Sequence, residues 1–219
     1  MSGIRTRLPS PRKATQDAER EAGVDSPCLV HTQLRMVDAD LRCIAPAFWR
    51  YQGICPNPGR PFSSVLVENT VWACTAMLNR ALVELAGEIP AESHHEDWWI
   101  AMVAAAFGVT VSLPEQTIDW RRHGQNDSDV SQLSSATSSA LLAPRKTRRR
   151  LRDLLDANRP RVEVFLRRYG ARLNARQIAA AEAFIALNSM GPIRRRWSVL
   201  RHRLLFTSWR RSAGMLFLL

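Results

Sequence analysis

The chain has 219 residues, 46% of them hydrophobic, and a formal net charge of +11. That is enough for one domain of ordinary size with a sizeable core, and it excludes an intrinsically disordered chain. No apolar run approaches the roughly 18–20 residues of a spanning helix, and MSGIRTRLPSPRK lacks the apolar centre of a secretory signal, so a cytoplasmic location is expected.

Cys28, Cys43, Cys55 and Cys74 show no C-x-x-C spacing, so reduced thiols are expected rather than a zinc site. The charge is unevenly placed. From Pro144 onward 19 Lys and Arg stand against 4 Asp and Glu, a local +15 that leaves −4 on the preceding part. The split suggests a near-neutral globular part followed by a basic region seeking an anionic partner.

Taken in order, residues 1–27 are polar, with a helix expected over 13–22 and no visible anchor for it. Residues 28–37 (CLVHTQLRMV) begin apolar and then alternate, as a strand leaving a core does. Asp38, Ala39 and Asp40 read as a turn. Residues 45–52 are rich in aromatics, and the loop after them, GICPNPGRP, holds too many Pro and Gly for regular structure. Residues 62–68 read as a short helix, 71–78 as a strand or a helix, and 80–86 as a helix closed by Gly87. The β-branched run 109–113 is strand-like; Pro114 is expected to turn the chain before a second short strand over 117–122. Strands and helices thus alternate across 28–126, the α/β pattern. Residues 127–143 fall within a Ser-rich, aperiodic stretch that reads as a linker. The region 144–219 is helical in pattern: 145–157, then 162–169, then a helix opened by a capping box of Asn174 and Gln177. After the break at Gly191-Pro192 a basic amphipathic segment follows, in which Arg alternates with Trp and Leu.

The stretch 93–107, SHHEDWWIAMVAAAF, stands out. Ser93 and Glu96 have capping-box spacing, and from Trp98 to Phe107 there is no charge, as in a helix buried on several sides. Its first turn nevertheless carries Glu96, Asp97 and two His. An acidic, titratable start to a buried helix is a place to look for chemistry, and Asp97 is the leading candidate.

Three blocks, ENTVWACTAMLNRAL, HHEDWWIAMVAAAFG and WRRHGQND, resemble successive motifs of bacterial family 2 glycosyltransferases. The likeness is strongest to the rhamnosyltransferase-like group that builds surface polysaccharides. The segment LVHTQLRMVDADLRCIAPAFWRYQ and the basic helical end are similar as well, so the resemblance spans about residues 27–219. It implies a partial GT-A (Rossmann-like) domain over 28–126 followed by the helical basic region. The implied reaction moves a sugar from a nucleotide-sugar donor to a surface-polysaccharide or lipid-linked glycan acceptor. Asp97 matches the general base on the acceptor hydroxyl. Arg121 and His123 match the element that closes over the donor diphosphate, and Glu96, Trp98 and Trp99 fall on the acceptor side. The family commonly uses a divalent metal (Mg or Mn), but the Asp-rich motif that holds it is absent from this chain. Gln33 replaces the usual Asp, Ala73 the usual Gly and Trp120 the usual Tyr. The chain therefore reads as the second half of such an enzyme.

Plainer readings exist for each feature. Asp97 as a bare helix-start carboxylate would complement the helix dipole and be a weak base. Trp98 and Trp99 read by themselves as core residues, and His94 and His95 as solvated. The Arg runs read as solvated faces or, with their Trp and Leu, as a surface for an anionic membrane, peripheral at its inner face. A catalytically inactive remnant that only binds acceptor or membrane is the alternative function. Nucleic acid ranks last, because no recognition-helix or RNA-binding signature accompanies the charge.

Overall fold

The computed structural model describes residues 10–56, 62–122 and 144–219. The linker expected over 127–143 and the candidate His123 lie outside them. The described chain is mixed α/β: a small open sheet with helices, followed by a helical region.

The sheet is built on one strand. β1 (Cys28–Val37) carries β4 (Val109–Arg121) in parallel along one edge. Its other edge is shared by β3 (Ala76–Leu78), antiparallel near the start of β1, and β2 (Cys43–Ala45), antiparallel near its end. Strands on both edges pair the backbone of β1, and elements packed on its faces bury its side chains along nearly the whole length, where a strand leaving the core was expected. Cys28 and Val30 lie with Ala14 and Ala18 of α1 (Pro11–Ala22), which supplies the anchor that the sequence did not reveal. Leu34 and Met36 pack against Phe48 and Trp49 of α2 (Phe48–Gln52).

Pro114 does not turn the chain. β4 runs through it as a single strand of 13 residues, and Leu113 pairs with Thr32 while Gln116 pairs with Gln33. Pro114 and Glu115 form the surplus of a bulge, the place in a strand where a missing N–H costs no ladder bond. The stretch 71–78 also differs from a plain strand, since a 3-10 turn over Ala73–Thr75 precedes β3.

Helices α3 (Phe62–Val67) and α4 (Arg80–Ala86) pack on α5 (Glu96–Phe107). Trp99, Met102, Val103 and Ala104 of α5 are fully buried, as its uncharged sequence predicts. The chain passes from α5 into β4 at a tight point. A Cβ on Gly108 would stand 1.9 Å from the Pro27 carbonyl oxygen, which accepts a bond from Val109 N–H.

The helical region comprises α6 (Pro144–Tyr169), α7 (Ala175–Ala186), α8 (Pro192–Arg201) and α9 (Trp209–Leu218). The two helices expected over 145–169 are one helix of 26 residues with Pro160 inside it. The Asn174–Gln177 capping box is present. This region is not a tail set apart from the globular part. Phe165 and Tyr169 of α6 meet the Trp99 ring at centroid distances of 5.4 and 5.9 Å, inside the same core as α3 and α5. Burying each such side chain contributes about 1.5–3 kcal/mol, so the basic helices are integral to the fold. Among the described residues no helix is long and apolar enough to cross a membrane.

Candidate functional site

The approach to α5 is more constrained than a capping box would make it. Ser93 does not cap the helix; it ends a 3-10 turn, and the cap position falls to His95, which makes no side-chain bond there. Between them His94 takes a left-handed φ of 54°, a conformation that costs a residue with a Cβ and needs outside support. The support comes from α6. Buried Arg161 donates through Nε to the Ser93 carbonyl at 2.9 Å and through Nη1 to Asn158 Oδ1 at 2.9 Å. Its guanidinium also lies 4.2 Å from the Trp98 ring centroid. Burial lowers the Arg161 pKa to about 10, against the pull of nearby Asp97.

Asp97 sits half-buried in the first turn of α5. Asn69, in the loop after α3, donates to its Oδ1 at 3.1 Å and fixes itself by paired bonds to the Val71 backbone. Desolvation raises the carboxyl above the ordinary aspartate range, while the N–H groups of Trp98 and Ala73 and nearby His95 act the other way. Burial thus outweighs the helix terminus, and Asp97 is a better base than its position in the sequence suggests.

Asn69 and Trp98 are also walls of a cavity of about 160 Å³, with Phe48, Trp72 and Phe206 among its other sides. A space of this order accommodates one six-membered ring. Its polar edge includes Glu68 and Arg211, a buried ion pair joining the end of α3 to α9. Glu68 Oε2 accepts from the Thr207 N–H and hydroxyl at 2.8 and 2.7 Å, which ties the loop before α9 to the same carboxylate. The cavity therefore depends on the helical region as much as on the sheet.

The other candidates are placed differently. Trp98 lines the cavity and donates to the Val65 carbonyl at 2.6 Å. Trp99 has no exposed surface; its indole donates to the Ala86 carbonyl. It cannot face an acceptor, and that expectation is corrected: one helical step from Trp98 turns it by about 100° into the core. Glu96 is solvent-exposed, and Arg121 is the last residue of β4, opposite Val37. Arg121 thus stands at the carboxyl end of the parallel pair, the end of open α/β sheets where ligands bind. Sequence reasoning missed Asn69, Arg161 and the Glu68–Arg211 pair. Only the Ser93-to-Asp97 stretch carried a local signal.

Among the described residues, the pair with Asp-x-Asp spacing does not fit a divalent metal. Asp38 Oδ1 accepts the backbone N–H groups of Asp40 and Arg42 at 2.9 and 2.8 Å, and Asp40 pairs with Arg42, so both carboxylates serve the turn expected there. No group of three or more potential ligands occurs among the described residues. Comparison with protein-family models, curated proteins and solved structures finds no match to this chain.

Proposed function

We propose that this chain carries the acceptor side of a GT-A-type glycosyltransferase, with Asp97 as the general base on an acceptor hydroxyl. The observation that carries this reading is the position of Asp97. A carboxylate with a raised pKa, oriented by Asn69, adjoins two walls of a ring-sized aromatic cavity. Aromatic faces suit the C–H faces of a sugar, and the edge carboxylate and guanidinium suit its hydroxyls.

In the proposed reaction the acceptor O–H gives its proton to an Asp97 carboxylate oxygen as its oxygen attacks the anomeric carbon of the donor sugar. The bond from that carbon to the diphosphate oxygen breaks, and the electron pair leaves with the nucleoside diphosphate. Arg121 and His123 would offset the accumulating negative charge. No step is assigned to a metal. The acceptor class is a surface polysaccharide or a lipid-linked glycan, and the donor a nucleotide sugar of the hexosyl or rhamnosyl type.

The test uses radiolabelled UDP-glucose, UDP-galactose, GDP-mannose and dTDP-rhamnose, with a lipid extract of the native host as acceptor. A placed base contributes about 10²–10⁴-fold. Asp97→Asn should lose transfer by that factor with its circular dichroism unchanged. Equal turnover by Asp97→Asn, or acceptor binding with no transfer by the unaltered protein, would reject the proposal and leave the chain a binding module.

A further inference from the structure

Helix α8 is inverted. Ile193, Trp197 and Leu200, spaced i, i+4 and i+7, form an apolar stripe that is 82%, 62% and 55% exposed. Its opposite face buries Arg195, whose guanidinium is taken up by the carbonyls of Leu187, Asn188 and Met190. Helix α9 also turns Trp209 and Phe217 outward, while Arg211 is buried on the same side as Met215 and Leu218. A water-facing surface gains nothing from this arrangement.

Two further arginines join these faces to a cationic one. Arg196 of α8 donates to the Leu216 carbonyl at 2.8 Å, and Arg148 of α6 to the Leu218 carbonyl at 2.7 Å. The end of α9, with Phe217, is thereby held against α8 and the first turns of α6. Those turns expose Arg145, Lys146, Arg149 and Arg150, and α8 exposes Arg194 and Arg201. No acidic residue occurs in α8, in α9 or in the first nine residues of α6.

We propose that this face, formed by α8, the end of α9 and the start of α6, adsorbs to an anionic lipid bilayer. Trp and Phe seat at the level of the headgroups, Ile and Leu reach the acyl boundary, and the arginines extend to the lipid phosphates. The alternation of apolar and cationic groups decides the partner. Duplex nucleic acid would use the cations and leave the large apolar side chains in water; a single strand would stack bases on the aromatic rings but leave Ile193 and Leu200 without a partner, and a second copy would bring two like-charged faces together. The inference stands independently of sugar transfer.

The experiment is co-sedimentation of the purified protein with phosphatidylglycerol–phosphatidylcholine vesicles and with pure phosphatidylcholine vesicles. Binding should be about tenfold stronger to the anionic vesicles and should weaken with added salt. The double variant Trp197→Ser/Phe217→Ser should lose about tenfold in partitioning with unchanged circular dichroism, whereas Val83→Ser, which removes an exposed apolar residue on α4, should bind as the unaltered protein does. Equal affinity for neutral vesicles, an unaffected double variant, or equal losses in both variants would overturn the proposal. So would self-association in lipid-free solution that the double variant abolishes.

Discussion

Arg161 lies over the face of Trp98 and at the same time holds the carbonyl of Ser93, five residues earlier in the chain. A single side chain from α6 therefore sets both the path into α5 and the wall of the cavity beside Asp97. Arg161→Ala should destabilise the protein by about 2–3 kcal/mol, because a buried carbonyl loses charged donors. Arg161→Lys should not restore it, since one ammonium cannot reproduce the planar fork. Urea denaturation measures both; full rescue by Lys would show that charge alone matters.

The pH dependence of stability should report Asp97. Its folded pKa is raised by burial, so the native state holds that proton more tightly than the unfolded chain does. The associated stability is fully present below the unfolded pKa. It falls as pH rises from there to the folded value, above which the half-buried charge exerts its whole penalty. Asp97→Asn should accordingly melt higher than the unaltered protein near neutral pH, with the gap closing as pH falls below the aspartate range. A gap independent of pH would contradict the assignment. Sugar transfer, which needs the ionised form, should rise with pH through the same raised pKa.

Much of α5 was legible because burial on several sides demands an uncharged run, and 98–107 supplies one. Asp97 was legible as a carboxylate, but its strength as a base was not. The helix terminus is a local property, whereas burial depends on parts distant in sequence, among them Asn69, which donates to the carboxylate, and Arg161 of α6 near it. Pro114 carries a genuine turn signal, and only the long pairing with β1 converts it into a bulge. Arg161 could not be singled out among 19 Lys and Arg of the same region. Nothing local separates an arginine that will be buried from one that will be solvated.

Gly108→Ala tests the junction between α5 and β4. The added methyl would overlap the Pro27 carbonyl oxygen, a backbone atom that cannot rotate away. A loss of about 1–3 kcal/mol is expected, the range for forced overpacking. Thermal melting of the variant checks it, and an unchanged Tm would mean that the Pro27 segment yields freely.

The Glu68–Arg211 pair should behave as a unit. Glu68→Ala alone leaves the Arg211 charge buried without its partner and should cost about 3–5 kcal/mol. The double variant Glu68→Met/Arg211→Met should recover most of that loss, since two apolar side chains fill the same space without charge. A double-mutant cycle by urea denaturation reads the coupling, and additive losses would show that the two residues act separately.

The placement of β1 also sets when the protein can fold. His31 of β1 bonds to Ser112 of β4, 81 residues further along the chain. During synthesis β1 therefore emerges long before the strand that covers its edge, and through that interval its apolar residues have only α1 and short segments for company. Loop closure over such a span slows the formation of the sheet. An incomplete chain ending before Val109 would present an uncovered edge to other chains. Nascent-chain aggregation, and the need for a chaperone at the ribosome, should peak just short of β4 and decline once α5 and β4 have emerged.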